Sequence, residues 1–281
     1  MSSHHGHTFF VRVGPTRVRV RTYGSGRPLL MIMGIGGNLD MWDPLVPHLP
    51  GRELVTFDFP GTGNSGISWL PPTMAGNAWF VKKLIRVLGH SRLDVLGYSW
   101  GGVLAQHLAV QHARSVDRLV LAATTYGLGA RPPGPVVASR MLTPRRYYSR
   151  PYFNKVAPHI YGGRYRLDPR LANEDARRRV GRPPSLYGYL TQLAAVAGYS
   201  TLPALPLICA PTLIIAGDDD PIAPSVNAKL MARLIRRVEL HILEGAGHMM
   251  LFDSPEISAP LISRFLSAER HSDARPSTVP R

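Results

Sequence analysis

Residues 93–102 read LDVLGYSWGG, and this stretch decides the fold. Its first positions are of the kind that fill a buried strand, and an apolar helical pattern follows from Val103. A serine between two glycines at a strand-to-helix turn is typical of a nucleophile held at a strand tip, on a backbone strained towards positive φ. We expect Gly97 and Gly101 to lack side chains because such a turn crowds their positions. A chance glycine-rich turn would read the same way, so the rest of the chain must supply partners for Ser99.

Short apolar or β-branched runs bounded by turn residues recur along the chain and predict eight strands. They cover residues 9–13, 17–22, 29–33, 53–58, 93–97, 118–123, 212–216 and 238–243. Helical patterns lie between the later runs, at 78–88, 103–111, 226–236 and 256–266. The later runs are continuously apolar, as in strands buried on both faces of a parallel sheet. The alternation predicts an α/β fold: a mostly parallel eight-stranded sheet flanked by helices and opened by an antiparallel hairpin.

Residues 127–198 break this rhythm, since they are rich in Pro, Arg and Tyr and contain helix-like pieces without a convincing strand. The stretch is too long for a plain loop. We predict an inserted helical cap or lid between two parts of the sheet-containing core, residues 1–126 and 199–270. The polar, proline-containing tail at 271–281 is expected to be disordered.

The formal charge of +15 is concentrated in the predicted cap, which contains 13 Lys and Arg residues and three acidic residues. A basic face attracts nucleic acid, anionic membranes, coated particles or acidic ligands. A second reading is that arginine serves as the solubilising residue, because only four of the 33 cationic residues are Lys. No nucleic-acid-binding motif accompanies the charge, so we expect no nucleic-acid partner.

Composition favours a soluble globular protein, with 44% hydrophobic and 18% charged residues. The longest apolar runs fall far short of the roughly 20 residues of a transmembrane helix, so we expect no membrane span. The amino terminus lacks the pattern of a signal peptide, and the lone Cys209 excludes an internal disulfide. These features predict a cytoplasmic location. Oligomeric state is left open.

Two later strand ends carry the residues that a serine nucleophile needs. Residues 212–216 run into an acidic cluster ending at Asp220, and residues 238–243 run into a loop ending at His248. In this architecture the acid and then the base follow the serine along the chain. We predict that Ser99, Asp220 and His248 form a catalytic triad. Asp218 and Asp219 are expected to shape the turn instead.

A triad also requires donors for the oxyanion. We assign the backbone N–H of Trp100, which follows the serine, and that of Ile35, in the glycine-rich loop after the third strand. The glycines of that loop allow close backbone approach. Residues 58–66 superficially resemble a phosphate loop but lack its Gly-Lys-Ser/Thr end, so we interpret them as a structural turn. No metal or organic cofactor is expected.

The chain resembles the α/β-hydrolase superfamily over about residues 8–270. The segments that carry the resemblance stand in the expected order: MGIGGNLDMW at 33–42, FDFPGTGNSG at 57–66, LGYSWGG at 96–102, IIAGDDDP at 214–221 and EGAGH at 244–248. Within the superfamily the chain looks like the intracellular poly(3-hydroxyalkanoate) depolymerases acting on medium-chain-length polyesters. LTPRRYYSRP at 142–151 and APHIYGG at 157–163, both in the predicted cap, add to this resemblance. Met33 departs from it, because the superfamily often has His there.

This resemblance implies an ester substrate that is a polymer stored in cytoplasmic granules, cleaved through an acyl-enzyme on Ser99 to release 3-hydroxy acids. A granule surface is then a further partner. Apolar residues of the predicted cap are candidates for lining an acyl pocket: Met141, Leu142, Ile160, Leu186 and Leu190. The alternatives are a carboxylesterase, lactonase or thioesterase for a small acyl substrate, and a non-catalytic hydrolase scaffold that binds a ligand or granule.

Overall fold

The computed structural model describes residues 6–68 and 71–268, and within these ranges the chain forms one eight-stranded sheet. The strands lie side by side in the order β1-β2-β4-β3-β5-β6-β7-β8. Their bounds are β1 His7–Val13, β2 Thr16–Tyr23, β3 Arg27–Ile32, β4 Arg52–Phe57, β5 Leu93–Tyr98, β6 Val116–Ala122, β7 Thr212–Gly217 and β8 Val238–Leu243. The predicted sheet is confirmed.

Strand directions explain where a site can form. β1 and β2 make an antiparallel hairpin, and β2 also runs antiparallel to β4. Every other neighbouring pair, from β4 across to β8, is parallel. Because parallel strands end at the same edge, the loops after β3, β5, β7 and β8 meet there.

The central strands are buried as their apolar runs predict: every residue of β5 and of β7 is buried. The expectation was wrong for β8, whose six residues are all only partly buried. β8 is the last strand of the sheet and pairs with β7 alone. Oε1 of its Glu239 lies 2.6 Å from Nε2 of His241 and also accepts a hydrogen bond from Arg264 Nη2. Charged side chains on an edge strand discourage pairing with another chain.

A cluster of charged side chains lies where the parallel strands of the sheet begin. Asp94, near the start of β5, is fully buried and accepts a hydrogen bond from Arg27 Nη2 at 3.1 Å. Its other carboxylate oxygen accepts from Arg52 Nη2. The two arginines begin the neighbouring strands, so their charges meet one carboxylate where the strands start.

The described ranges contain eleven α-helices. Their bounds are α1 Met74–Val87, α2 Trp100–Gln111, α3 Pro135–Met141, α4 Arg145–Tyr148, α5 Arg150–Tyr161, α6 Arg164–Leu167, α7 Pro169–Gly181, α8 Leu186–Val196, α9 Ser225–Leu234, α10 Met250–Asp253 and α11 Pro255–Ser267. α1 starts earlier than its hydrophobic pattern indicated because the Thr73 side chain caps it, accepting from Gly76 N at 3.0 Å. None of these helices has the length and apolar character needed to cross a lipid bilayer.

Six of the helices, α3 to α8, lie between β6 and β7. The chain leaves the sheet and returns to it at one place, since Leu128 N donates to Tyr199 O at 2.7 Å and Thr201 N donates to Tyr126 O at 2.8 Å. We call residues 127–198 the cap. Their treatment as a separate unit stays a prediction, and the tail at 271–281 lies outside the described residues.

Candidate active site

The turn between β5 and α2 presents Ser99. Its backbone has φ 55° and ψ −121°, a conformation that residues with side chains rarely adopt. Ser99 N donates to Ala122 O at 2.9 Å, which fixes the turn to β6. A Cβ on Gly101 would collide with the carbonyl of Ile32, so only glycine lets α2 start this close to β3. The turn therefore holds the hydroxyl of Ser99 at the carboxyl edge of the sheet.

His248 and Asp220 meet Ser99 at this edge. The Ser99 hydroxyl is 3.0 Å from His248 Nε2, and His248 Nδ1 is 2.8 Å from Asp220 Oδ2. The other carboxylate oxygen of Asp220 accepts from the amides of Ile222 and Ala223, at 2.8 and 2.9 Å. Asp220 and His248 are 4% and 3% exposed, so bulk water does not compete for the contact between them. The three residues that sequence order singled out are thus brought together.

Tyr98 supports the loop that carries His248. Its hydroxyl donates to the carbonyl oxygen of His248 at 3.0 Å, and the two rings lie with centroids 5.2 Å apart. Burial raises the pKa of Tyr98 well above its ordinary value. The phenol therefore stays neutral and remains a donor at physiological pH.

The two backbone groups assigned to the oxyanion lie beside Ser99. Trp100 is the first residue of α2, so its amide has no acceptor one turn earlier in the helix. Ile35 lies in the loop after β3 and lines a small space that Ser99 and His248 also line. Backbone N–H groups at a helix start are suited to a developing negative charge.

Two cap residues that the sequence did not indicate hold the loop after β3, residues 33–38, which we call the oxyanion loop because the predicted donor Ile35 lies in it. Gln192 Oε1 accepts from Gly36 N at 2.7 Å, and the Gln192 carbonyl accepts from Trp100 Nε1 at 2.8 Å. Tyr147 Oη donates to Ile35 O at 2.5 Å. A glutamine and a tyrosine on cap helices carry no motif, and only the three-dimensional contact reveals their place beside both predicted donors.

The cap also crosses the loops that carry Asp220 and His248. His248 N donates to Tyr161 O at 2.7 Å, and Asp219 Oδ2 accepts from Gly163 N at 2.7 Å. Gly163 has φ 51°, and a Cβ there would overlap the backbone of Gly247. We name this contact, of residues 161–163 with residues 219 and 247–248, the crossing point. Asp219 was predicted only to shape its turn; it also ties the cap to the core.

Two spaces adjoin Ser99. The first, which we call the cavity, measures about 470 Å³ and is lined mainly by apolar groups, among them Trp100, Val103 and Leu193. The second, which we call the cleft, measures about 20 Å³ and is lined by His248, Arg146 and Arg179. Ligand pockets are commonly apolar spaces of about 300–1,000 Å³ with a few polar groups, and the cavity fits that description.

The predicted acyl-pocket residues do not behave as a set. Met141 lines both the cavity and the cleft. Ile160 is fully buried but lies on α5, inside the packing of the cap. Leu142, Leu186 and Leu190 are 64%, 58% and 47% exposed and are not among the residues that line the cavity or the cleft, so their role in substrate binding stays a prediction. The cap helices are short, and their hydrophobic pattern alone could not show which face points inwards.

Other sequence features have structural explanations. Asp58, in the segment that superficially resembles a phosphate loop, is buried and accepts from Leu39 N at 2.7 Å and Asn64 N at 2.8 Å. It orders that turn, in keeping with the structural interpretation. His107 contacts the hydroxyl of Tyr199 through Nδ1, away from Ser99.

Known proteins resemble this chain in sequence and in fold. Residues 27–255 match the family model described as alpha/beta hydrolase fold. The chain belongs to the α/β hydrolase family. The family prediction and its fold are thereby confirmed.

Relatives of this α/β hydrolase differ in what they act on. It is 39% identical over 244 residues to a poly(3-hydroxyalkanoate) depolymerase of Ectopseudomonas oleovorans, covering 86% of this chain and 85% of that protein. It is 23% identical to a pimeloyl-[acyl-carrier protein] methyl ester esterase of Legionella pneumophila, covering 89% and 99%. The crystal structure of an enol-lactonase from Burkholderia xenovorans LB400 superposes with a TM-score of 0.80 at 23% identity, covering 92% and 100%. The predicted enzyme class, an ester hydrolase, is confirmed.

Proposed function

We propose that this hydrolase cleaves a medium-chain poly(3-hydroxyalkanoate) through an acyl-enzyme on Ser99. The observation that carries the proposal is the pair of hydrogen bonds, 3.0 and 2.8 Å long, that join Ser99, His248 and Asp220. The likeness to the Ectopseudomonas oleovorans depolymerase supports the choice of polymer. The apolar cavity of about 470 Å³ beside Ser99 supports an alkyl side chain on the substrate.

The proposed reaction has two acyl-transfer steps. His248 Nε2 takes the proton of Ser99 while Oγ bonds to the ester carbonyl carbon. The amides of Ile35 and Trp100 then stabilise the negative oxygen of the tetrahedral intermediate. The carbon–oxygen bond of the ester breaks, and the His248 imidazolium returns its proton to the departing alcohol.

Water completes the cycle. His248 removes a proton from a water molecule, the resulting hydroxide bonds to the acyl carbon, and Ser99 leaves with that proton. Asp220 orients the imidazole throughout and stabilises its charged form without becoming protonated. The products are a free carboxylate and an alcohol, which for this polymer are both 3-hydroxy acid units.

We further propose that the cap contacts the granule that stores the polymer. Its balance of 13 cationic against three acidic residues favours an anionic coat. Such attraction weakens with ionic strength, whereas hydrolysis of a small neutral ester in the active site does not depend on it.

The test offers purified protein amorphous medium-chain polyester granules beside p-nitrophenyl octanoate, at low and high NaCl. We expect release of 3-hydroxy acids from the granules, with granule binding alone reduced at high salt. Ser99→Ala should lower turnover by about 10⁶-fold, as loss of a nucleophile does in a triad. The control is Ser139→Ala, which changes an exposed serine of α3 whose hydroxyl donates to Val136 O at 3.0 Å.

Each alternative predicts a different result. Activity on soluble esters alone would replace the polymer proposal by a carboxylesterase, lactonase or thioesterase. Failure of a fluorophosphonate to label Ser99 in folded protein would favour a non-catalytic binding scaffold. Equal activity of Ser99→Ala and wild type would remove Ser99 from the mechanism.

A further inference from the structure

Arg146 carries a positive charge in the interior of the cap. Its side chain is 1% exposed, and within the described part of the chain no carboxylate pairs with it. Its Nη1 makes long hydrogen bonds, 3.3 Å to Arg140 O and 3.4 Å to Thr143 O, and its Nε has no partner among the residues that the structure describes. The rings of Tyr147 and Tyr189 face the guanidinium at 4.8 and 5.4 Å. Burying a charge without an acidic partner is unfavourable, so folding alone does not account for Arg146.

The other buried arginine of the cap is paired. Arg179 is 2% exposed, and its Nε lies 2.5 Å from Asp175 Oδ2. Both arginines line the cleft, and among the described residues that line it none is acidic. Once Asp175 has neutralised Arg179, the positive charge of Arg146 remains for a ligand.

The position of His248 decides which half of an ester enters the cleft. His248 lines the cleft, whereas the described residues around the cavity do not include it. In the proposed mechanism the protonated imidazole gives its proton to the departing alcohol. The alcohol half of the ester therefore lies on the cleft side of Ser99, and the alkyl chain of the acyl half lies in the cavity.

We propose that Arg146 binds the carboxylate of the departing 3-hydroxy acid, so that the enzyme removes units from the carboxyl end of the polymer. This inference rests on the proposed function. In the terminal ester of such a chain, one methylene separates the alcohol carbon from a free carboxylate. An ester in the interior of the chain presents a neutral carbonyl at the same place. Guanidinium groups bind carboxylates through charge-assisted, often bidentate hydrogen bonds, which distinguishes the two cases.

Met141 lines the cleft at the place where the carboxylate needs space. The cleft of about 20 Å³ has the volume of a water molecule, and a carboxylate is larger. Met141 lines both the cleft and the cavity, and its unbranched side chain can turn without moving the backbone. We expect the Met141 side chain to turn aside when the carboxylate enters.

The test compares two substrates that differ by one charge: the ester dimer of 3-hydroxyoctanoate with a free carboxylate, and its methyl ester. We expect wild type to hydrolyse the free acid with about 10- to 100-fold higher kcat/KM, the range of a hydrogen bond to a charged group. Arg146→Met should bring this ratio close to one. The ratio is the readout, because a general loss of activity from a loosened cap cancels in it. Arg145→Met is the matched control: Arg145 is exposed beside the Tyr152 ring, and its loss should leave the ratio unchanged.

A second measurement uses 3-hydroxyoctanoate as an inhibitor of p-nitrophenyl octanoate hydrolysis. Its inhibition constant should rise at least tenfold in Arg146→Met and stay the same in Arg145→Met. Arg146→Lys keeps the charge without the planar fork, and we expect an intermediate ratio and constant from it. Near-ultraviolet circular dichroism confirms that each variant is folded, and Arg146→Lys replaces the Met variant if that one is not.

Two results would overturn the inference. One is a wild-type ratio near one, which means that the carboxylate is not recognised. The other is an Arg146→Met variant that loses activity on both dimers equally and keeps its inhibition constant, which assigns Arg146 to packing. If neither dimer is cleaved while p-nitrophenyl octanoate is, the polyester proposal fails, and the inhibition constants alone decide whether Arg146 binds a carboxylate.

Discussion

Gln192→Leu tests whether the cap positions the oxyanion loop. The substitution nearly preserves volume but removes the acceptor that holds Gly36 N at 2.7 Å. Gln192 is 2% exposed, so water does not replace that acceptor, and a buried unpaired amide costs about 1–3 kcal/mol. For a chain of this size that corresponds to a fall in Tm of roughly 2–10 °C.

The expected fall in kcat lies between no change and the loss of a complete oxyanion donor. Complete loss of an oxyanion donor costs about 10²- to 10³-fold in kcat. In Gln192→Leu the adjoining Ile35 is still held, because Tyr147 Oη donates to its carbonyl at 2.5 Å. We therefore expect kcat to fall about tenfold, with KM little changed. Adding Tyr147→Phe should bring the loss towards 10²-fold, by more than the two single effects combined, because both residues hold one loop.

The assay is steady-state hydrolysis of p-nitrophenyl octanoate, with thermal unfolding measured on the same preparations. Thr191→Val is the matched control, since Thr191 precedes Gln192 on α8 and its hydroxyl donates within the helix, to Gly188 O at 2.9 Å. A Gln192→Leu enzyme with reduced stability but unchanged kcat would refute the reasoning. A tenfold rise in KM at constant kcat would refute it too, because it would place Gln192 in substrate binding.

Two further predictions concern stability. Asp94→Ala should lower the free energy of unfolding by about 3 kcal/mol in urea titrations, because it leaves Arg52, 9% exposed, without its carboxylate. We expect kcat to stay the same, since Asp94 lies at the opposite end of β5 from Ser99, and a large loss of kcat would contradict this. Burial raises the pKa of Tyr189 to about 12, above the value of about 10 in an unfolded chain. The contribution of Tyr189 to the free energy of unfolding is complete below pH 10, and about 3 kcal/mol of it is lost as the pH rises towards 12. Unfolding midpoints should therefore fall between pH 10 and 12, and they should fall less in Tyr189→Phe.

The sequence predicted the sheet well because its central strands obey a simple rule. Strands covered on both faces must be apolar throughout, so β5 and β7 could be located from their runs alone. β8 is equally apolar at several positions, yet it lies at the edge of the sheet. Strand order depends on pairing between distant segments, which a single run of residues does not contain.

The residues of the active site were also predicted only in part. Ser99, Asp220 and His248 could be singled out because each follows a strand that ends at one edge. Their meeting needs only the topology. Gln192 and Tyr147 reach the oxyanion loop from cap helices, and their contacts depend on how several short helices pack. The same packing turned Leu142, Leu186 and Leu190 outwards, which the residue types did not disclose.

The crossing point limits how this enzyme can be re-engineered. The backbone carbonyl of Tyr161 accepts a hydrogen bond from the backbone N–H of His248, and Gly163 packs on the backbone of Gly247. A chimaera that exchanged residues 127–198 for the corresponding segment of a relative would thus replace a structural support of the imidazole along with the walls of the pocket. Designs that aim at new substrates should splice on either side of residues 161–163 and leave those three in place.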